Sequence, residues 1–209
     1  MLPTKPPTRR IPLSRRSHII GFQSLSSGAT YHESALERDF VTLTSFVEPA
    51  ANILAQPVTI HFEDAGLRRR YTPDFLVRFP GGADLIEVKY QRDLEERWDA
   101  LAPAFGAATQ WALGHAATFR VVTEKDVRGA LLENGKRLLP LRSVPVDAKA
   151  AMLILTRAYA MKGATFRSLL EAEPNRGIAL ATVWRLIARG ALRADLSVPV
   201  TLDSEVRPP

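Results

Sequence analysis

The chain is 209 residues long, 46% hydrophobic and 24% charged, the profile of a soluble globular protein with one core, or one core and a small satellite domain. It contains no cysteine, which excludes a disulfide framework, a thiol nucleophile and thiolate-held zinc, and His18, His32, His61 and His115 form no pair at metal-ligand spacing. A formal net charge of +6 favours a polyanionic partner, and no apolar run approaches a membrane span.

Residues 1–17 carry Lys5, Arg9, Arg10, Arg15 and Arg16, several prolines and no acid, so the segment reads as a basic flexible arm that contacts phosphates, or else as a solubilising tail. Arg15 and Arg16 are not followed by an apolar stretch, so they do not make an export signal, and the chain reads as cytoplasmic with no membrane partner. Residues 18–22 predict a short strand and Gly28 a turn. Residues 33–47 predict a helix, with Leu36, Phe40, Leu43 and Val47 as its apolar stripe. Glu37 lies at the margin of that stripe. Periodicity alone favours a surface glutamate in the first helical turns over one that reaches an active site. Pro49 ends the helix. A strand is predicted over 58–62, a turn at 64–66, and then the cluster Arg68, Arg69 and Arg70, either a phosphate track or an exposed edge-strand charge.

The next stretch, YTPDFLVRFPGGADLIEVKY from Tyr71 to Tyr90, organises the chain. Residues 72–79 alternate as a strand, Gly81 and Gly82 supply the turn, and 85–90 return as the second strand of a hairpin. Strand alternation puts Glu87 and Lys89 on one face, with Ile86 and Val88 on the other. Charged groups in so apolar a setting need a reason. A divalent metal supplies one: Asp74 and Glu87 offer hard oxygen ligands, and Lys89 a cation beside a reacting phosphate. The plain alternative is a hairpin with surface ion pairs.

Residues 93–115 predict a helix interrupted or kinked at Pro103, with Leu94, Trp98 and Leu101 on one face, and 118–123 a strand. A short helix follows over 126–133, then an apolar piece at 138–141. The order is helix, three strands, helix, strand: a mixed α/β layer. Residues 142–147 read as a linker. Beyond it, helices over 148–161, 166–172 and 178–189 and short strands within 192–202, around 197–199, give the order of a winged helix. Arg185 and Arg189 are candidates for DNA contact on the third of these helices, whose Trp184, Leu186 and Ile187 are core-like.

Taken together, RRSHIIGF, ESALERDF, QPVTIHF, YTPDFLVRF, LIEVK and FRVVTEKDV, in this order and spacing, resemble the TnsA-type endonuclease subunits of heteromeric transposases. The resemblance spans most of the chain and is less clear in its last third. It implies a restriction-endonuclease-like PD-(D/E)xK domain over 18–145, a mixed sheet flanked by helices, followed by a small winged-helix domain over 146–209. By motif position it implies Glu37, Asp74, Glu87 and Lys89 as the catalytic set, with Asp74, Glu87 and Glu37 around Mg²⁺, for which Mn²⁺ can substitute. It is the resemblance that moves Glu37 from the surface to the site.

The implied activity is hydrolysis of the 5′ strand at transposon ends in double-stranded DNA. A TnsB-like DDE transposase would cut the other strand, and a TnsC-like AAA+ ATPase would be met through the smaller domain. Arg9, Arg10, Arg15, Arg16, Arg68, Arg69 and Arg70 are the expected DNA-binding residues, in a nucleoid-associated bacterial protein. Two alternatives stand beside this reading: a stand-alone restriction- or repair-type nuclease of the same superfamily, and a non-catalytic DNA-binding assembly module.

Overall fold

The computed structural model describes the backbone of residues 21–25 and 28–32 and all of residues 34–209. The basic arm with Arg9, Arg10, Arg15 and Arg16, most of the first expected strand, and Glu33 lie outside the described residues. Packing divides the chain into two compact units, Met1–Arg128 and Gly129–Pro209. The boundary thus falls earlier than the linker at 145 read from the sequence.

In the first unit, β1 (Gly21–Leu25) and β2 (Gly28–His32) form an antiparallel pair. Helix α1 (Ala35–Val47) starts at Ser34, whose hydroxyl oxygen accepts the Glu37 N–H at 3.1 Å, a side-chain cap for an otherwise unpaired helix-end donor. Its buried apolar residues are Leu36, Phe40, Val41 and Phe46. Val47, expected in the stripe, is exposed, so the buried face is rotated toward Val41 and Phe46.

Five strands follow where three were expected before the next helix is complete: β3 (Asn52–Ala55), β4 (Ile60–Asp64), β5 (Leu67–Tyr71), β6 (Phe75–Phe79) and β7 (Gly82–Val88). Then come α2 (Gln91–Leu113), β8 (Thr118–Val122) and α3 (Glu124–Val127). The main sheet has the order β3-β6-β7-β8, antiparallel except for the parallel pair β7-β8. Strands β4 and β5 form a separate hairpin.

The β6–β7 turn is Pro80 and Gly81, because Phe79 already pairs with Gly82. Neither Gly81 nor Gly82 has a positive φ; the left-handed glycine of this region is Gly66, at φ 77° in the β4–β5 turn. Helix α2 departs from helical geometry at Arg97 (φ −125°, ψ 15°), one and a half turns before Pro103, where the kink was expected. Its buried residues are Phe105, Ala108 and Ala112, while Trp98 is exposed.

Both sheet faces are covered. Leu76, Ala83 and Leu85 pack with Ile60 and with Ala108 and Ala112 of α2. On the opposite face the Phe40 ring of α1 stacks on Phe75 at 5.4 Å. Small alanines on α2 bring the helix close to the sheet, and burial of the larger strand residues drives the association. Lys89 N–H donates to the Val122 carbonyl at 3.0 Å, extending the β7–β8 ladder past Val88. Thr123 and Asp126 cap α3 reciprocally.

The second unit holds α4 (Ala130–Leu138), a 3-10 turn (Leu139–Arg142), α5 (Ala148–Ala160), α6 (Phe166–Leu170), α7 (Arg176–Ala188) and the two-residue strands β9 (Arg193–Ala194) and β10 (Val206–Arg207), which pair antiparallel. The single helix expected over 126–133 is therefore two, α3 and α4, split at Arg128 and Gly129. Of the short strands expected within 192–202, β9 falls inside that range and β10 beyond it, while the stretch 197–199 itself carries no strand. Asn134 Nδ2 holds it as a loop by donating to the carbonyls of Leu196 (3.0 Å) and Val198 (2.8 Å). Ile154, Phe166, Leu169, Val183, Leu192 and Val206 are buried within the unit. Arg185 and Arg189 donate to the carbonyls of Pro145 (3.0 Å) and Val144 (2.6 Å), so both guanidinium groups fasten the chain ahead of α5.

Candidate active site

Asp74 precedes β6, directly after the buried Pro73, which restricts the backbone there to an extended entry. Its carbonyl accepts the Gln56 N–H at 2.7 Å, and its Oδ2 accepts the Val88 N–H at 2.7 Å. Asp74 is thereby fixed to both neighbours of β6. The Phe75–Ile86 pairing, carried one step further, sets Asp74 beside Glu87. Each stands two residues along its strand from an α2-facing leucine, Asp74 from Leu76 and Glu87 from Leu85, so they share that side of the sheet.

Glu87 is 3% exposed, and each of its carboxylate oxygens has a partner. Lys89 Nζ stands 2.8 Å from Oε1, and the Tyr71 hydroxyl donates to Oε2 at 2.6 Å. These short, charge-assisted contacts offset the cost of burying the carboxylate. Tyr71 comes from the end of β5, and its ring meets Phe105 of α2 edge-on at 6.1 Å.

The electrostatics follow from this crowding. Burial pushes the Asp74 carboxyl well above its usual range, and the charges of Glu87 and Glu37 push it further, against the Val88 N–H and Lys89. Burial works against the Lys89 ammonium, but the charge of Glu87 and its hydrogen bond prevail and hold that pKa above the ordinary lysine value. Burial first, and then the Glu87 charge, keep Tyr71 protonated far beyond the usual phenol range.

Asp74, Glu87 and Lys89 are thus brought together, and Glu37 of α1 lies within electrostatic reach of Asp74. Arg68, Arg69 and Arg70 do not join this cluster. They lie exposed along β5, the strand that leads to Tyr71, and Arg69 pairs with Asp64 at 2.8 Å.

Tyr71 escaped the sequence reading, although it is the first residue of the YTPD motif. Arg97 escaped it too; the break in α2 leaves its charge close enough to act on Lys89.

The donor set suits a hard divalent cation: carboxylates raise each other's cost of ionisation in a desolvated place, and a cation would relieve it. In the arrangement seen, Lys89 and Tyr71 hold both Glu87 oxygens. Among the described residues no group of three His, Cys, Asp or Glu side chains stands ready as a cage. The residues therefore suit an ion that Asp74 and Glu87 would hold with few protein ligands, were Lys89 to yield its oxygen.

A helix-flanked mixed sheet with Asp, Glu and Lys gathered beside the ends of adjacent strands is an α/β arrangement consistent with a nuclease fold. More particularly, residues 50–124 match the family model described as the TnsA-like endonuclease N terminal, so the segment that builds the sheet and holds Asp74, Glu87 and Lys89 is similar to that domain. The match leaves out α1 with Glu37 and the whole second unit. No curated protein matches the chain. Among the described residues no helix is long and apolar enough to cross a membrane.

Proposed function

We propose that the chain is a metal-dependent DNA endonuclease subunit of a cut-and-paste transposase, cleaving the 5′ strand at transposon ends beside a DDE-type transposase. The observation that carries this reading is the convergence of Asp74, Glu87 and Lys89 inside the segment that matches the TnsA-like endonuclease N-terminal model. Asp74 and Glu87 hold Mg²⁺, with Mn²⁺ as a substitute, and Glu37 supports the same ion from α1. When bound, the ion supplies a water acidic enough to act at neutral pH and neutralises phosphate charge. The chain's own part is positional. The Val88 N–H fixes the Asp74 carboxylate, Tyr71 fixes Glu87, and Lys89, once released from Glu87, offers its ammonium to the charge that develops on the phosphate.

The exposed β4–β5 hairpin, with Arg68 and Arg70 on one face, gives double-stranded DNA a basic approach to the site. The arm bearing Arg9, Arg10, Arg15 and Arg16 adds phosphate contacts. The helix, turn, helix and ladder of the second unit support a winged-helix role in meeting an AAA+ ATPase.

The test is cleavage of transposon-end DNA by the full chain with Mg²⁺ and the partner transposase, followed strand by strand. Asp74→Ala and Glu87→Ala each lower 5′-strand cleavage at least ~100-fold while the partner's 3′ cutting and joining persist. Double-strand excision at the wild-type rate by either variant overturns the assignment.

A further inference from the structure

Glu87 is the most enclosed charge of the site, and its two oxygen partners differ in kind. The Lys89 ammonium on Oε1 ends a flexible side chain that is 29% exposed. The Tyr71 hydroxyl on Oε2 ends a rigid ring that has two anchors. Tyr71 is paired with Ile60 across the β4–β5 ladder, and its ring lies against Phe105 within the cluster that joins α2 to the sheet. At 2.6 Å the Tyr71 bond is also the shorter of the two.

A carboxylate held in this way has one oxygen fixed and one exchangeable. We propose that Tyr71 is a positioning residue. It holds Glu87 by Oε2, fixing the plane of the carboxylate, and leaves Oε1 as the single oxygen that passes between the Lys89 ammonium and a divalent cation. The inference rests on the proposed metal-dependent reading and deepens it. Glu87 acts as a one-oxygen ligand, and the site is closed by an internal ammonium until an ion displaces it. The partner that orients a metal-binding carboxylate sets how well the ion is bound, and losing such a partner commonly costs about 10–100-fold in metal affinity.

The test needs no DNA. Mn²⁺ is titrated into the full chain and followed by electron paramagnetic resonance, comparing wild type, Tyr71→Phe and Glu87→Gln, with melting curves for each. Tyr71→Phe removes only the hydroxyl and leaves the ring on Phe105. The expected result is Mn²⁺ binding weaker by about 10-fold or more, with an altered bound-Mn²⁺ spectrum and a cooperative melt. A merely structural tyrosine would leave the spectrum unchanged.

Unaltered Mn²⁺ affinity in Tyr71→Phe, with weakened binding in Glu87→Gln, overturns the role of Tyr71 and leaves the metal site standing. Equal binding by all three proteins overturns the metal site itself. Should Tyr71→Phe fail to fold, 4-aminophenylalanine at position 71 replaces it. This keeps the ring and a donor in the same place, but its N–H is a weaker donor than the phenol O–H, so the hold on Glu87 loosens. Weakened Mn²⁺ binding is then expected, and unchanged binding overturns the proposal.

Discussion

Replacing Lys89 by methionine separates what the ammonium does for the fold from what it does for an ion. The pair it forms with Glu87 measures 2.8 Å, and Glu87 is almost fully enclosed. At an effective dielectric of about 20 the gross attraction at that distance is about 6 kcal/mol. Two features reduce the net loss. The Lys89 side chain is 29% exposed, so its charge is partly screened, and Tyr71 still satisfies the other Glu87 oxygen. Removing one partner of a buried pair costs about 3–5 kcal/mol, and the discounted expectation here is about 2–3 kcal/mol. For a chain of this size that lowers the melting midpoint by roughly 4–12 °C.

The same substitution removes the competitor for Glu87 Oε1, so an ion is bound more tightly, although cleavage is lost. Melting curves of wild type and Lys89→Met, each with and without Mn²⁺, test both halves, because a ligand that binds only the folded state raises its stability with the logarithm of [ligand]/Kd. The variant melts lower without the ion and gains more from it than wild type does. Equal midpoints without Mn²⁺ refute the electrostatic argument. A smaller Mn²⁺ gain than in wild type refutes the competition at Oε1.

Glu37→Gln distinguishes a helix-surface glutamate from a site residue: the expectation is a collapse of cleavage with stability changed by less than about 0.5 kcal/mol, and full activity would return Glu37 to the surface. Asp74 has its folded pKa raised above the ordinary 3.8, so the folded state binds its proton more tightly than the unfolded chain does, and this group makes stability fall as pH rises from about 4 through the folded value. Asp74→Asn can still accept the Val88 N–H but carries no charge. It should therefore melt higher than wild type at neutral pH and lose that part of the slope, and a lower midpoint at neutral pH would contradict the account.

Where each chemical group lies along a strand was legible from local pattern. Leu85, Ile86 and Val88 around Glu87 spelled a buried strand, and alternation alone put Glu87 and Lys89 on one face, where the structure joins them at 2.8 Å. What local pattern could not supply was strands without alternation. In β5 the run Leu67, Arg68, Arg69, Arg70 is exposed at every position, so no apolar period marks it, and β3 is a four-residue strand between Pro49 and Pro57. Tyr71 was missed with β5, since its bond to Glu87 depends on how the β4–β5 hairpin meets the sheet. The Arg97 break in α2 was hidden for the opposite reason: Pro103 is the stronger local signal, yet the helix keeps its geometry there.

The place of the site in the sheet explains why it depends on side-chain cations. Strands β7 and β8 run parallel and end together at Val88 and Val122, and the crevice beyond the carboxyl ends of parallel strands is where α/β sheets hold their ligands. Helix α2 begins just past Lys89, and an uncapped helix start there would attract an anionic phosphate through its free N–H groups. That attraction is already spent in part, because the Gln91 N–H donates to Glu124 Oε2 at 2.8 Å. Positive charge near this end of the sheet comes from Lys89 and from Arg97 at the break in α2, and on the proposed reading an ion held by Asp74 and Glu87 would add to it. With Lys89 bound to Glu87, the first of these is held in reserve. On that reading, release of the Lys89 ammonium and entry of a divalent ion would be parts of one exchange.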